Sequence, residues 1–283
     1  MSKIEKDIFR NGSTTYYWSS KFFPRSVRDD VFKLYSFVRV VDDMVDSVPA
    51  EIDRFNNIKK RWITVKKELK KGKVTKPLND SVDERVIANI AYVVHRYECD
   101  TAWVDAFLES MQMDVDKKQY NTLEDTLEYI YGSAEVIGLF MARIMQLPIK
   151  PYEYARMQGR AMQWINFLRD IDEDISLGRS YFPKSTLKKF GLKDLSQKTA
   201  QANPKAFKKF MSEQIDLYEQ WQTEADKGFS YIPKRLRIPL QTATDMYNWT
   251  AKEIKKDPFI VYSRKVKPKK SKVLKTAAKN TIH

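Results

Sequence analysis

Helical periodicity runs through almost the whole sequence, and few residues interrupt it. The chain has 283 residues but only 8 glycines. It also lacks the short alternating apolar runs, bounded by turn residues, that predict strands. Apolar residues make up 42% of the chain, which is enough for a substantial core. The sequence therefore predicts an all-α fold.

Proline, glycine and charged stretches divide this pattern into separate helices. We predict helices over residues 26–47, 83–99, 102–116, 122–146, 152–177, 204–231 and 239–256. Residues 70–80 are predicted to be a surface loop, and residues 183–204 an irregular stretch. Because nothing resembles a linker, residues 1–283 are predicted to form one helical domain with a basic C-terminal tail from about residue 264.

The net charge of +14 indicates an anionic partner, which can be nucleic acid, an acidic membrane surface or a phosphorylated substrate. Much of the excess lies in the tail, where eight basic residues follow one another with no acidic residue between them. They are Arg264, Lys265, Lys267, Lys269, Lys270, Lys272, Lys275 and Lys279. The tail is interpreted either as a solvated segment that keeps the protein soluble or as one that attracts anionic lipid or a diphosphate.

Several protein classes are disfavoured by simple counts. Cys99 is the only cysteine, so no disulfide framework or cysteine-based metal site is expected. Residues 1–11 lack the apolar region of a signal peptide, and no apolar run is long enough for a transmembrane helix. We therefore expect a cytoplasmic protein that is able to contact a membrane peripherally.

The helix predicted over residues 26–47 carries acidic residues on its apolar side. At about 100° per residue, Asp42 falls within the apolar sector, and Asp46 lies one turn further along. Burying ionised carboxylates costs several kcal/mol unless a cation or hydrogen bonds compensate. Two interpretations stay open: a metal site, or an internal salt bridge in which Arg39 neutralises Asp42 or Asp43.

A second acidic face lies on the helix predicted over residues 152–177. Gln163, Asn166, Asp170 and Asp174 share one narrow stripe, and Gly159 leaves space one turn earlier. The stripe carries only oxygen ligands of the kind that suit Mg²⁺. Two acidic pairs on separate helices are typical of a clamp for a metal-bound diphosphate, whose departing charge metal ions can stabilise.

Competing sites fit the sequence less well. A di-iron bundle needs Glu-x-x-His pairs, whereas the only histidines are His95 and His283. A zinc hydrolase is disfavoured because the sequence likewise lacks histidines at the spacing of zinc ligands. No phosphate-binding glycine loop or dinucleotide fingerprint is present. A basic helical protein that binds nucleic acid is an alternative from another class. Nucleic-acid binders carry basic contact faces, but the distinctive faces here are acidic, so no nucleic-acid partner is expected.

The two acidic segments resemble the aspartate motifs of the phytoene/squalene synthase family. The first is Leu34-Tyr-Ser-Phe-Val-Arg-Val-Val-Asp-Asp-Met-Val-Asp46, and the second is Gln163-Trp-Ile-Asn-Phe-Leu-Arg-Asp-Ile-Asp-Glu-Asp174. The second continues through Gly178-Arg-Ser-Tyr-Phe-Pro183, and this Gly-Arg-x-Tyr-x-Pro sequel is highly specific. The similarity runs from about residue 12 to residue 272. It implies a single-domain, isoprenoid-synthase-type helical bundle around a central cavity.

The resemblance also implies roles for individual residues. Carried over by position, the residues that bind Mg²⁺, or Mn²⁺ in its place, are Asp42, Asp46, Asn166, Asp170 and Asp174. The four aspartates among them are catalytic together with Tyr129, whose ring face suits a cation. The substrate diphosphates are contacted by Ser13, Thr15, Arg39, Gln163, Asn166 and Arg264. Four further residues match family positions less strongly, namely Asp114, Arg179, Tyr181 and Tyr247.

Other positions bear on the cavity that the resemblance implies. Aromatic residues that are candidates for lining a dry tunnel, or for plain core packing, are Tyr16, Tyr17, Trp18, Phe22 and Phe23. The small Ser19 and Ser20 leave room for a long prenyl chain. Glu135 stands where many family members have Gly or Ala, either as a helix-surface charge or as a residue that alters the cavity.

The implied activity is head-to-head coupling of two geranylgeranyl diphosphates to phytoene, in carotenoid biosynthesis. The reaction passes through a cyclopropylcarbinyl diphosphate and involves no reduction, so NADPH is not expected. The alternative in the family is a squalene or dehydrosqualene synthase that uses farnesyl diphosphate. A class I terpene cyclase is disfavoured because its usual second metal motif is absent from residues 166–174. A catalytically inactive family member is disfavoured because all four motif aspartates are present.

Overall fold

The computed structural model describes residues 14–282, and within this range the chain is almost entirely helical. Its only β feature there is an isolated bridge between Gln119 and Ser180. The helices up to residue 144 are α1 (Thr14–Ser20), α2 (Arg25–Asp46), α3 (Ile52–Lys70), α4 (Val82–Arg96), α5 (Thr101–Asp116), α6 (Leu123–Ile130) and α7 (Val136–Ile144). The later ones are α8 (Tyr152–Arg169), α9 (Ile171–Ser176), α10 (Lys184–Lys189), α11 (Gln197–Ala202), α12 (Pro204–Asp226), α13 (Lys234–Lys256), α14 (Ile260–Ser263) and α15 (Lys270–Ile282). The all-α prediction is confirmed.

Helix α3 was not predicted. Its buried residues Phe55, Ile58, Trp62 and Val65 recur at spacings of three and four, which is the helical signal. Many lysines and arginines surround them and dilute the apolar pattern. The short helices α10 and α11 also fall within a stretch that was predicted to be irregular.

Two predicted helices are continuous in the sequence pattern but not in the structure. Between α6 and α7, residues Tyr131–Glu135 form a π-helical turn, a feature often found at functional sites. The other interruption is at Asp170, whose backbone (φ −105°, ψ 16°) separates α8 from α9. The break lies within the acidic stripe, between Asn166 and Asp174.

Helix α8 lies at the centre of the bundle. It packs against α12 on one side and against the π-helical turn and α7 on the other. Its buried Trp164 and Leu168 belong to one part of the core, while α2 and α4 pack together in the other. The second acidic stripe therefore begins on the central helix of the bundle. None of the helices within residues 14–282 is long and apolar enough to span a bilayer.

The basic segment after residue 264 is largely folded, and the two interpretations of its charge stay predictions. These residues form α15, which packs against α13 and α1. Val273 and Ala277 are fully buried in this contact. Val273 and Ala277 are four residues apart, which is a helical spacing, but the many lysines of this segment obscure the pattern in the sequence.

Candidate active site

An apolar cavity of about 270 Å³ lies between α1, α2, α7, α8 and α13. Along α8 its lining residues extend from Tyr154 to Asn166, about 18 Å of helix. Gly159 brings α8 close to the π-helical turn, because a Cβ atom there would lie 2.3 Å from the carbonyl oxygen of Ala134. The predicted tunnel-lining residues Tyr16, Ser19, Ser20 and Phe23 all contribute to the wall. The three other aromatic candidates are not among the residues that line it.

The carboxylates of α2 lie at one end of this site. Arg39 forms ion pairs with Asp42 (2.9 Å) and Asp43 (2.5 Å), so the salt bridge proposed as an alternative is present. The Asp42 side chain is still 34% exposed. Asp42 is therefore both salt-bridged and accessible, and the ion pair does not exclude a ligand role.

Arg179 joins the two acidic segments. Gly178 has φ +73° and ends α9, with the Arg179 amide donating to the Asp174 carbonyl (2.8 Å). This turn directs the Arg179 guanidinium to the Asp46 carboxylate (2.5 Å) and the Val45 carbonyl (2.7 Å). The Gly-Arg sequel therefore links the end of the second motif to the end of the first.

Asp114 on α5 completes this acidic group. Its two carboxylate oxygens accept hydrogen bonds from the hydroxyls of Tyr129 (2.7 Å) and Tyr181 (2.6 Å). The rings of Tyr129 and Tyr181 lie 4.9 Å apart, and Tyr129 is 3% exposed. The structure thus places Tyr129 beside Asp114 and not among the residues that line the apolar cavity; its position near a cation stays a prediction.

Cations surround Asp170. Arg169 binds both of its carboxylate oxygens, and Lys265 lies 3.3 Å away. Burial alone would raise the pKa of Asp170. The positive charges of Arg169 and Lys265 have the larger effect, so the pKa lies below its ordinary value. Sequence analysis missed Arg169 and Lys265, although Arg169 is adjacent to Asp170.

Asp174 has no ion pair or side-chain hydrogen bond within the described part of the chain. Burial and repulsion from Asp170, Asp114 and Asp46 raise its pKa to about 8. Burial and repulsion from Asp46 likewise raise the pKa of Asp42 above its ordinary value. These interactions show that the two acidic faces lie within electrostatic range of each other.

The donor set fits a divalent cation that is shared with a ligand. Within residues 14–282, the buried Oδ1 atom of Asn166 has no hydrogen-bond partner and the half-buried Asp174 has no counter-ion. Among residues 14–282, no three His, Cys, Asp or Glu side chains converge closely enough to hold an ion on their own. Mg²⁺ usually takes one or two carboxylates plus water and phosphate oxygens, so this arrangement suits it.

We expect Mg²⁺ to raise the melting temperature more at pH 8.5 than at pH 6.5. Near and below the raised pKa, Asp174 holds a proton that the metal must displace, so the affinity for metal grows as the pH rises. Thermal unfolding with and without Mg²⁺ measures this difference. Asp174→Asn is the control and should reduce the pH dependence. Equal stabilisation of the unmodified protein at both pH values would contradict the assignment.

A smaller polar pocket adjoins the apolar cavity and shares Tyr16, Tyr35 and Asn166 with it. It has a volume of about 170 Å³ and is lined by Thr15, Tyr16, Tyr35, Asn166, Arg169, Met246, Tyr247, Thr250, Lys267 and Pro268. Burial and the neighbouring Lys265 and Arg169 lower the pKa of Lys267. Arg169 is already paired with Asp170, whereas Lys267 forms no ion pair within residues 14–282, so its ammonium group suits an anion in this pocket.

Three of the six predicted diphosphate-binding residues, Thr15, Gln163 and Asn166, line the two adjoining pockets. Thr15 lines the polar pocket, and the Oε1 atom of Gln163 accepts a long hydrogen bond from Asn166 (3.4 Å). Arg264 is exposed and lies near Glu253, whereas its neighbour Lys265 contacts Asp170. The Arg264 role stays a prediction. Ser13 lies outside the described residues.

Glu135 forms a buried ion-pair cluster, so the interpretation as a helix-surface charge is wrong. Its side chain is 1% exposed and contacts Arg156 (2.9 Å) and Arg160 (2.7 Å) on α8. It thereby fastens the π-helical turn to α8 beside the cavity wall. The sequence alone could not show whether Glu135 is buried, because both of its arginine partners lie on a different helix.

Replacing Glu135 with Gln should lower the free energy of unfolding by about 3 kcal/mol, because two guanidinium groups lose a buried carboxylate. The matched control is Glu153→Gln, since Glu153 is an exposed partner of Arg156 and should cost about 0.5 kcal/mol or less. Urea unfolding measures both values. A loss of equal size in both variants would mean that the buried cluster contributes no more than a surface pair.

The fold and the site together define a helical bundle in which an apolar cavity adjoins a polar pocket, beside a group of acidic and cationic side chains. The family model for squalene/phytoene synthase matches residues 9–272. The chain belongs to the squalene/phytoene synthase family.

Individual relatives agree with this assignment. The chain is similar to a 15-cis-phytoene synthase of Enterobacter agglomerans, with 30% identity over 83% of this chain and 80% of the relative. It is also similar to a 15-cis-phytoene synthase of Paracoccus sp., with 26% identity over 94% of this chain and 86% of the relative. The crystal structure of squalene synthase HpnC from Alicyclobacillus acidocaldarius superimposes with a TM-score of 0.73 at 21% identity, over 91% of this chain and 94% of that one. The prediction of an isoprenoid-synthase-type bundle is confirmed.

Proposed function

We propose that the protein couples two molecules of geranylgeranyl diphosphate head to head and produces phytoene. The observation that carries the proposal is the junction at Asn166, where an apolar cavity meets a polar pocket and the acidic stripe of α8. A prenyl diphosphate has this same division, because an apolar chain ends in an anionic head group. The similarity to 15-cis-phytoene synthases supports the choice of product.

The two ends of the substrate call for different surroundings. Mg²⁺ held by Asp42, Asp46, Asn166, Asp170 and Asp174 would neutralise charge that develops on the departing diphosphate. Arg169 and Lys267 supply positive charge to the same anion from the polar pocket. The apolar wall keeps water away from the carbocation until it has reacted.

The reaction has two stages that share this site. In the first, one prenyl diphosphate loses diphosphate, and the resulting cation adds to the double bond of the second molecule. Loss of one proton then gives a cyclopropylcarbinyl diphosphate. In the second stage this intermediate loses its own diphosphate, rearranges and releases another proton. No reductant is consumed, so the proposed activity requires no NADPH.

The cavity favours the longer of the two substrates that the family suggests. Ser19 and Ser20 are 2% and 3% exposed and occupy the wall with small side chains. The apolar lining continues along about 18 Å of α8, from Asn166 to Tyr154. A twenty-carbon chain buries one more isoprene unit there than a fifteen-carbon chain, and each buried methylene contributes about 0.8 kcal/mol.

Product identification tests the proposal. The purified protein is incubated with Mg²⁺ and either geranylgeranyl diphosphate or farnesyl diphosphate, and the extracts are analysed by mass spectrometry. We expect a forty-carbon hydrocarbon from geranylgeranyl diphosphate. Turnover of farnesyl diphosphate alone would overturn the substrate assignment, and a product of single-substrate cyclisation would favour a terpene cyclase.

A further inference from the structure

The apolar cavity has a far end that lies opposite its polar junction at Asn166. Tyr154 lines this far end and lies about 18 Å along α8 from Asn166. The other residues that line it follow α7 or connect α12 to α13, namely Met145, Leu147, Phe229 and Ile232. A chain whose head group is held near Asn166 reaches these residues last. The position of the far end therefore limits the length of chain that the cavity can enclose.

Tyr154 carries the bulkiest of the side chains at the far end. It belongs to the first turn of α8, which begins at Tyr152. Helical side chains lean towards the N-terminus of their helix, so the Tyr154 ring extends away from Asn166. The ring thus occupies the space into which a longer chain would have to grow.

Contacts on two sides hold Tyr154 in this position. Gly228 lies in the turn between α12 and α13, and a Cβ atom there would lie 2.6 Å from the Cβ atom of Tyr154. The ring of Tyr154 stacks on that of Tyr231, with 5.9 Å between the ring centroids and 18° between the planes. The ammonium group of Lys150 lies 5.5 Å from the Tyr231 ring. A ring that is packed in this way gives a fixed wall, because moving it would break the stack or displace the turn.

We propose that Tyr154 is a specificity-determining residue that sets the upper limit on the length of the prenyl chain. This inference rests on the proposed function, in which the cavity encloses a prenyl chain. The small Ser20 leaves room for a twenty-carbon chain, whereas Tyr154 excludes the additional isoprene unit of a twenty-five-carbon chain. Forcing extra carbon atoms against a packed wall typically weakens binding by roughly 5- to 150-fold.

Binding of unreactive substrate analogues tests the inference without depending on product formation. Thio-diphosphate analogues with fifteen, twenty and twenty-five carbons are titrated into the protein with Mg²⁺, and the dissociation constants are measured by calorimetry. We expect the unmodified protein to bind the twenty-carbon analogue at least about tenfold more tightly than the twenty-five-carbon analogue. Tyr154→Ala removes the wall and should make the two dissociation constants equal to within about threefold.

Two control variants separate the position of the ring from the loss of a tyrosine. Tyr154→Phe keeps the ring and should keep the preference for twenty carbons. Tyr92→Ala removes a half-buried tyrosine of α4 that lines neither pocket, and it should also keep the preference. Melting temperatures establish that all three variants fold. An unchanged preference in Tyr154→Ala, or the same change in Tyr92→Ala, would overturn the inference.

The same titrations distinguish this inference from the substrate assignment. The preference of the unmodified protein between fifteen and twenty carbons tests whether geranylgeranyl diphosphate is the substrate. The effect of Tyr154→Ala on the twenty-five-carbon analogue tests the role of Tyr154. A preference of the unmodified protein for fifteen carbons would contradict the substrate assignment, and a gain for longer chains in Tyr154→Ala would still support Tyr154 as the limit.

Discussion

Replacing Asp170 with Asn is expected to lower kcat for prenyl coupling by about 100- to 1000-fold. The substitution removes a carboxylate that we assign to the metal site and leaves the shape of the side chain unchanged. Release of diphosphate from geranylgeranyl diphosphate, measured with saturating Mg²⁺, gives kcat directly. Asp42→Asn on the facing helix should produce a loss of similar size, because the two acidic faces act on one leaving group.

Neighbouring aspartates provide matched controls for both substitutions. Asp172 lies two residues after Asp170 but is exposed, and Asp43 follows Asp42 and is 53% exposed. Asp172→Asn and Asp43→Asn should keep kcat within about threefold, since neither carboxylate belongs to the proposed ligand set. Melting temperatures establish that all four variants fold. Activity near that of the unmodified protein in both Asp42→Asn and Asp170→Asn would remove the metal-clamp explanation.

Replacing Ser20 with Phe is expected to lower kcat/KM for geranylgeranyl diphosphate by about 100-fold. Ser20 is buried in the cavity wall, and its hydroxyl donates to the carbonyl of Tyr17 (3.0 Å). A phenyl ring at this position occupies space that we assign to the distal part of a twenty-carbon chain. The loss for farnesyl diphosphate should be much smaller, because its chain is one isoprene unit shorter.

The ratio of the two kcat/KM values is the informative readout in this experiment. Ser26→Phe, at an exposed position of α2, is the control for adding a phenyl ring without filling the cavity. It should leave both values within about threefold. If Ser20→Phe reduced the two substrates equally, the effect would lie in folding or in the diphosphate site, and Ser20 would have no role in chain length.

Local periodicity was sufficient to find the acidic faces. Asp42 and Asp170 were placed on interior-facing stripes because helix geometry relates residues three and four apart, and the structure puts both faces in one site. The alternative salt bridge of Arg39 is also present, because the same short spacing brings Arg39 to Asp42. Sequence could not decide between these interpretations, since both depend on the same turn of helix.

Contacts between distant parts of the chain could not be predicted in this way. Lys265 reaches Asp170 only because α14 and the following segment fold back onto α9. Arg169 lies within the second motif, but the sequence did not show that its guanidinium group binds both carboxylate oxygens of Asp170. The same limit applies to Glu135, whose partners Arg156 and Arg160 lie on a different helix.

The most direct test of the clamp is a crystal structure with Mn²⁺ and an unreactive thio-diphosphate analogue of the prenyl substrate. Anomalous scattering locates the metal independently of any assumption about the ligands. We expect Mn²⁺ peaks between the acidic faces that carry Asp42 and Asp170, with diphosphate oxygens completing the coordination and the prenyl chain in the apolar cavity. Metal peaks elsewhere, or a diphosphate bound away from these carboxylates, would contradict the central claim.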